Sequence, residues 1–186
     1  KAYAELHHQS IEMAARELRY NYFEQLRKDI QADAICVAHH RDDQVETILL
    51  NLIRGTGIKG LTGMRPKNGR IVRPFLGVSH QDILGYLFHQ HQGYVIDSTN
   101  LEREAQRNQL RLDIIPLMER INPEVKANIA RTAGILTEVE EFTDQQIDLL
   151  IHSCLVGDSY KFSAIKNSGH SKLILWHILY NKGFRS

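Results

Sequence analysis

The densest group of chemically reactive side chains in the sequence occupies one stretch of eight residues. His39, His40, Asp42, Asp43 and Glu46 bring two imidazoles and three carboxylates together there. Carboxylates can surround an ammonium group or Mg²⁺, and helical residues three or four apart share a face, as Asp43 and Glu46 or Asp42 and Glu46 would. Stabilisation of a helix dipole would explain one acidic residue. It does not explain the adjoining histidines, so the pattern favours a functional site.

The flanking elements predict how this group is presented. Ile35 to Ala38 is predicted to form a short buried strand, and a following amphipathic helix is indicated by the spacing of Val45, Ile48, Leu49, Leu52 and Ile53. The group then lies between a strand's carboxyl end and a helix's first turn, where open α/β sheets bind ligands. His39 and His40 would leave the strand on opposite sides, so at most one should face a ligand, and the sequence does not decide which.

Two arginines form a second candidate pair. Arg107 and Arg111 are four residues apart, on one face of a predicted helix that continues toward Pro116. Guanidinium groups bind phosphate or carboxylate with two parallel hydrogen bonds, so the pair could converge on one ligand. The alternative is a pair of surface salt bridges with Glu104 and Asp113.

Three further polar positions remain open to two interpretations. Asp97 and Asn100 follow a predicted strand and could bind a ribose, a base edge or Mg²⁺, or could form an Asx turn. Thr47 could contribute to the site or could donate a hydrogen bond back to a helix carbonyl.

Charges are segregated along the chain although the net charge is only +1. A glycine-rich loop after Arg54 and Gly55 begins a basic stretch, and a later stretch is acidic. The string from Gly55 to Gly60 matches G-x-G-x-x-G but follows a helix, so the sequence favours a helix C-cap and a substrate-facing loop over a dinucleotide site. The basic residues could contact a phosphate backbone, which the acidic ones would repel; alternatively both stretches are solvated surfaces. The basic residues are Lys59, Arg65, Lys67, Arg70 and Arg73, and the acidic ones are Glu138, Glu140, Glu141, Asp144 and Asp148.

Length and composition limit the class of protein. At 186 residues the chain is long enough for one α/β domain with a helical appendage, and the boundary is predicted near residues 120–123. No run approaches the roughly 18 apolar residues of a membrane span. Cys36 and Cys154 are isolated, which favours a reduced cytoplasm, and the ten histidines are too scattered to predict a metal site.

Five sequence blocks, in this order, resemble the tRNA(Ile)-lysidine synthases, which belong to the PP-loop ATP pyrophosphatases. The blocks are Ala38-His39-His40-x-Asp42-Asp43-Gln44-x-Glu46-Thr47, Arg54-Gly55-x-Gly57-x-x-Gly60-Leu61, Arg73-Pro74-Phe75-Leu76, Asp97-Ser98-Thr99-Asn100 and Arg107-Asn108-x-x-Arg111.

The resemblance implies a fold, a reaction and a set of site residues. The fold is α/β: residues 1–121 would be the carboxyl-terminal portion of the PP-loop catalytic domain, with its parallel sheet, and residues 122–186 a helical linker and the start of a helical tRNA-binding domain. ATP, with Mg²⁺, would adenylate the wobble cytidine of an isoleucine tRNA with a CAU anticodon, and free L-lysine would displace AMP. The implied catalytic residues are Asp42, Asp43, Glu46, Arg107 and Arg111. The implied substrate-binding residues are His39, His40, Thr47, Arg54, Gly55, Asp97, Asn100 and Asn108, and the basic stretch would contact the tRNA.

One departure limits this expectation. The family carries a Ser-Gly-Gly-x-Asp-Ser loop that cradles the ATP phosphates, and no Ser-Gly-Gly occurs in this chain. The sequence therefore predicts a fragment that is incomplete for catalysis by itself. Two alternatives remain: another PP-loop tRNA-modifying enzyme, such as a thiolase, or a non-catalytic tRNA-binding fragment. The sequence also leaves open a homodimer.

Overall fold

The computed structural model describes residues 2–95 and 106–184, in which helices predominate over short strands. The helices are α1 (Ala2–Leu6), α2 (Ile11–Asp29), α3 (Arg41–Arg54), α4 (Ile58–Leu61), α5 (His80–His89), α6 (Gln106–Gln109), α7 (Ile115–Ile121), α8 (Val125–Ser153), α9 (Phe162–Asn167) and α10 (Ser171–Asn181). A π-helical turn, Leu110–Ile114, joins α6 to α7. The strands are β1 (Ile35–Cys36), β2 (Lys67–Asn68), β3 (Ile71–Val72), β4 (Leu155–Val156) and β5 (Ser159–Tyr160).

A small mixed sheet positions the start of α3. Its strand order is β1-β3-β2: β1 pairs parallel with β3, and β2 pairs antiparallel with β3. The carboxyl ends of β1 and β3 therefore lie at one edge, and the backbone N–H of Arg41 there donates to the carbonyl of Val78, 2.8 Å away. The predicted α/β class with a parallel strand pair is confirmed.

Local sequence signals set the ends of the principal helices. Ser10 caps α2 by accepting a hydrogen bond from the Met13 N–H, and Ser79 caps α5 in the same way from Asp82. Helix α3 ends at Gly55, whose φ of 76° lies in the region that favours glycine. The helix C-cap predicted at Gly55 is confirmed.

Two hydrophobic clusters organise the chain. The first joins α3 to the π-helical turn and α7 through Val45, Leu49, Leu110 and Ile115. The second joins the end of α8 to α9 and α10 through Cys154, Ile165, Ile174 and Ile178. Helix α8 connects the two, since it packs against α3, α4 and α7 as well as α10.

The structure differs from the sequence-based prediction at two elements. The strand expected from Ile35 to Ala38 ends at Cys36. The helix expected through Arg111 widens into the π-helical turn, where the Ile115 N–H donates to the Leu110 carbonyl. Pro116 provides the reason, because it has no N–H and its ring would clash with the carbonyl four residues earlier in a regular helix.

Within residues 2–95 and 106–184, no helix combines the length and the apolar character needed to cross a membrane.

Candidate active site

A pocket of about 600 Å³ lies where α3, α5, the π-helical turn, α7 and α8 meet. Charged and polar side chains dominate its lining. They include His40, Asp42, Asp43, Glu46, His80, Arg111, Glu119 and Lys126. The structure therefore brings the predicted carboxylates and one of the two predicted arginines to a single cavity.

Glu46 is the buried anchor of this site. Only 1% of the surface of Glu46 is exposed. Arg111 Nε donates to Glu46 Oε1 over 2.6 Å, and Arg111 Nη2 donates to Oε2 over 3.1 Å. Arg107 Nε lies 2.9 Å from Oε2 as a charge contact outside hydrogen-bond geometry. The hydrogen bond to Glu46 raises the pKa of Arg111 above its usual value. Both guanidiniums thus converge on one carboxylate of the chain itself, and Glu104, a predicted alternative partner, lies outside the described residues.

Asp43 and Thr47 support the same assembly from the first turns of α3. Asp43 Oδ2 accepts a hydrogen bond from the His40 backbone N–H at 3.0 Å, and Oδ1 lies 3.8 Å from Arg111 Nη2. Thr47 Oγ1 donates to the Asp43 carbonyl and accepts from Arg107 Nη2, each over 2.8 Å. Thr47 therefore bonds back to its own helix and also orients an arginine, while its part in substrate binding stays a prediction.

Asp42 connects three elements through its two carboxylate oxygens. Oδ2 accepts a hydrogen bond from the His80 N–H at the start of α5, over 2.7 Å. Oδ1 lies 3.1 Å from Lys126 Nζ on α8, and this ammonium also lies 2.9 Å from Glu119 Oε1 on α7. Burial would raise the pKa of Asp42, but the bonds from His80 and Lys126 outweigh it and hold that pKa below its usual value.

The sequence analysis missed Glu119 and Lys126. One signal could have pointed to the lysine, because it occupies the first turn of α8, where a cation opposes the helix dipole. Burial alone would lower the pKa of Lys126, yet its two carboxylate partners raise it above the usual value. Asp42 and Glu119 therefore stabilise the ammonium form of Lys126, although the dipole at the start of α8 disfavours a cation there.

Of the two adjoining histidines, His40 is the one in the pocket lining. Its Nδ1 lies 3.7 Å from Asp42 Oδ2 and its Nε2 lies 3.5 Å from Asp43 Oδ2. His39 is outside that lining and partly buried; burial is the principal cause of its pKa being lower than usual. His40, and not His39, therefore lines this pocket, and its contact with a ligand stays a prediction.

The basic stretch does not form a surface separate from the acidic stretch. Arg65 contacts Glu140 at 2.6 Å and Glu141 at 2.9 Å, and Lys59 lies 3.5 Å from Asp144. Side chains of the two stretches therefore pair with each other, a contact that neither interpretation of the sequence included. Residues 59 and 65 precede the acidic residues by about 75 to 85 positions, so only the packing of the loop against α8 brings the opposite charges together.

The other basic residues differ in exposure. Lys67 and Arg70 are exposed, and Arg70 Nη1 donates to the Asp33 carbonyl at 3.3 Å. Arg73 is only 7% exposed, and its Nη1 donates to the Arg65 carbonyl at 2.8 Å. Arg73 is therefore less accessible to a phosphate backbone than Lys67 and Arg70, and its contact with tRNA stays a prediction.

The remaining predicted binding residues lie outside this pocket's lining. Arg54 Nη2 donates to Gln106 Oε1 over 2.8 Å, which ties the end of α3 to α6. Gly55 is the C-cap of α3, and Asn108 is a partly buried residue of α6. Asp97 and Asn100 lie outside the described residues.

The carboxylates of this pocket do not fit a Mg²⁺ ion. Asp42, Asp43 and Glu46 each contact a cationic side chain of the protein. Across residues 2–95 and 106–184, no group of three or more His, Cys, Asp or Glu side chains is arranged to hold a metal.

A comparison with protein-family models matches residues 1–118 to the PP-loop domain. The chain therefore belongs to the PP-loop domain family.

Curated relatives narrow the resemblance. The tRNA(Ile)-lysidine synthase of Bacteroides thetaiotaomicron is 46% identical over 177 residues, covering 95% of this chain and 42% of the relative. That of Parabacteroides distasonis is 46% identical over 184 residues, covering 98% of this chain and 42% of the relative. The enzyme of Bacillus subtilis is 38% identical over 145 residues, covering 76% and 31%. The chain therefore spans less than half the length of these relatives.

A solved structure shows the same fold. The U34-tRNA thiolase NcsA from Methanococcus maripaludis, with its 4Fe–4S cluster, aligns with a TM-score of 0.50 and 18% sequence identity, covering 67% of this chain and 43% of that one. At this identity the likeness supports the fold alone.

Proposed function

We propose that this chain is part of an ATP-dependent ligase that joins L-lysine to the wobble cytidine of an isoleucine tRNA with a CAU anticodon, giving lysidine. The observation that carries the proposal is the assembly of Glu46, Arg107 and Arg111, because it unites two of the five sequence blocks at one pocket. The identity to lysidine synthases over nearly the whole chain supports it.

The arginine pair serves the adenylation step. ATP supplies the adenylyl group that activates the cytidine: the base oxygen forms a bond to the α-phosphorus, and pyrophosphate leaves. Negative charge develops on the phosphate oxygens during this transfer. Fixed guanidiniums stabilise such charge because they need little reorganisation when it appears. Two hydrogen bonds to Glu46 fix the plane of the Arg111 guanidinium, which lines the pocket. Arg107 is oriented by its hydrogen bond to Thr47 and by its charge contact with Glu46. In this assignment Glu46 is a positioning residue.

The carboxylates of Asp42 and Asp43 in the pocket serve the ligation step. The ε-ammonium of lysine must be held near the activated base and must lose a proton, because only the neutral amine attacks carbon. Asp42 and Asp43 provide negative charge at the start of α3, and His40 lies between them. The amine then displaces AMP and forms the new carbon–nitrogen bond.

Binding of tRNA is assigned to exposed positions of the basic stretch and to the helical part of the chain. Lys67 and Arg70 are exposed, so they are the best placed for phosphate contacts. We assign residues 1–121 to the PP-loop domain and residues 122–186 to the start of a helical tRNA-binding domain. A cytoplasmic location and free L-lysine as the second substrate are parts of the same proposal.

The decisive experiment measures incorporation of radiolabelled lysine into unmodified isoleucine tRNA with a CAU anticodon, in the presence of ATP and Mg²⁺. This chain is compared with a protein extended to the length of its relatives. Incorporation by the extended protein alone supports both the function and the need for the parts of the relatives' length that this chain does not span. Absence of incorporation by a folded extended protein would contradict the function and favour another PP-loop tRNA modification or a tRNA-binding role.

Variants of the extended protein connect the activity to the site. Arg111→Lys keeps the charge but loses the two-pronged contact with Glu46, so we expect a loss of at least tenfold in kcat/KM. Asp43→Asn should also reduce the rate. Asp148→Asn, at an exposed position of α8, is the matched control and should leave the rate unchanged.

A further inference from the structure

Lys126 is a charged group of the pocket that the proposed chemistry does not use. Its ammonium lies between two carboxylates from different elements, 3.1 Å from Asp42 Oδ1 and 2.9 Å from Glu119 Oε1. The lysine side chain is 33% exposed and the Asp42 side chain 15%. A primary alkylammonium therefore already sits in the cavity, on a carboxylate at the beginning of α3.

The position of Lys126 is locally unfavourable. It belongs to the first turn of α8, where the helix dipole disfavours a cation. The two carboxylates compensate for this, and they do so in a geometry that suits an ammonium, with oxygens on separate elements. A ligand ammonium that approaches the same oxygens would meet the same favourable charge without the unfavourable helix position.

The occupied site matches one part of the proposed substrate. Free lysine carries its ε-ammonium at the end of four methylene groups, as the side chain of Lys126 does. The cavity of about 600 Å³ beside this site has room for a small amino acid.

We propose that Asp42 and Glu119 form a subsite for a primary alkylammonium group, and that Lys126 occupies this subsite until the amine-bearing substrate displaces it. The assignment of that substrate as lysine rests on the proposed function. Glu119 is then a substrate-binding residue, and Lys126 is an internal competitor that sets the affinity for the amine.

Competition of this kind lowers the apparent affinity of the subsite for an amine ligand. The apparent association constant equals the intrinsic one multiplied by the fraction of molecules in which the subsite is free. If Lys126 occupies the subsite in about nine molecules of ten, removing its charge should strengthen amine binding about tenfold. Removing Glu119 should weaken the binding of the same ligand, because one of the two carboxylates is lost.

The first experiment measures binding without catalysis. Isothermal titration with n-butylammonium, and separately with L-lysine, is performed on the protein at the length of its relatives. We compare the wild type with Lys126→Met, Lys126→Arg and the double variant Lys126→Met with Glu119→Gln. Lys166→Met, at an exposed position of α9, controls for loss of one positive charge.

We expect about tenfold tighter n-butylammonium binding for Lys126→Met alone. Lys126→Arg should resemble the wild type because it keeps a competing cation, and the Glu119→Gln change should cancel the gain. Circular dichroism checks the fold; Lys126→Gln replaces the methionine variant if that variant is unfolded. Equal amine affinity in Lys126→Met and the wild type would overturn the proposal. Weaker tRNA binding by Lys126→Met with unchanged amine affinity would also overturn it, by assigning the lysine to a phosphate contact.

The second experiment separates this inference from the proposed function. In the ligation assay, Lys126→Met should lower KM for lysine while KM for ATP stays unchanged. Ligation by the wild type with an unaltered lysine KM in this variant would refute the subsite and leave the function intact. Tighter n-butylammonium binding in a protein that never ligates lysine would leave the subsite intact and refute the function.

Discussion

Replacing Glu46 with glutamine should destabilise the protein, because this carboxylate compensates two guanidiniums at once. Glutamine keeps the shape of the side chain but removes its charge and one acceptor oxygen. In the wild type, those oxygens receive two hydrogen bonds from Arg111, at 2.6 and 3.1 Å, and a contact from Arg107 at 2.9 Å. The amide group of glutamine would also direct its own hydrogens toward a guanidinium.

The expected magnitude follows from burial and exposure. A hydrogen bond to a charged group contributes about 1.5 to 3 kcal/mol. Glu46 is buried, but the side chains of Arg107 and Arg111 are 31% and 35% exposed, so water screens part of the loss. We therefore expect Glu46→Gln to lower the free energy of unfolding by about 2 kcal/mol, which corresponds to a fall in Tm of about 4 to 8 °C for a chain of this size.

Urea denaturation followed by circular dichroism measures this change, with Glu138→Gln on the exposed face of α8 as the matched control. The control should remain within about 0.5 kcal/mol of the wild type. If Glu46→Gln also stays within that margin at an unchanged m-value, the arginine pair does not depend on Glu46, and the role given to this carboxylate is refuted.

Three further predictions concern the loop, the glycines and the acid limit of stability. A double-mutant cycle of Arg65→Ala and Glu140→Ala should give a coupling of about 0.5 to 1 kcal/mol that falls with added salt; zero coupling at low salt would contradict the pairing. Gly63→Ala should destabilise by about 1 to 3 kcal/mol, because φ is +66° and the new Cβ would lie 2.8 Å from a side-chain amide. By contrast, Gly85→Ala, in open space within α5, should raise the free energy of unfolding by about 0.5 to 1 kcal/mol, as measured by urea denaturation. Equal effects of the two glycine substitutions would contradict the role given to the backbone of Gly63. The lowered pKa of Asp42 contributes stability that is present above its usual value of 3.8 and is lost as the pH falls through the folded value. Between pH 6 and pH 2, the Tm of Asp42→Asn should therefore fall less steeply than the Tm of the wild type. Parallel plots of Tm against pH for the two proteins would contradict the lowered pKa of Asp42.

The end of helix α3 and the residues that share a helix face could be predicted from the sequence. The C-cap at Gly55 could be predicted because the conformational preference of glycine acts within a few residues. The prediction that Arg107 and Arg111 share a face was sound for the same reason, and it survived the widening of the helix at the π-helical turn. The short strands were predicted too long, because pairing with neighbouring strands and not local propensity decides where a strand ends.

The ion pairs between residues far apart in the chain could not be predicted from the sequence. The acidic stretch looked uncompensated along the chain, yet Arg65 and Lys59 contact it across the packing of the loop on α8. Arg73 looked like a surface cation and is buried. Sequence spacing carries no information about which distant charges will meet, because that depends on how helices pack.

The sequence by itself determined the residue types of the site and their grouping on helix faces, through the fixed periodicity of the backbone. Asp42, Asp43 and Glu46 had to lie near one end of a helix. Only the tertiary structure decided that Glu46 binds the two arginines and that Lys126 reaches Asp42. Both contacts join elements more than 60 residues apart, and burial of Val45 and Leu49 against the π-helical turn and α7 brings the site together.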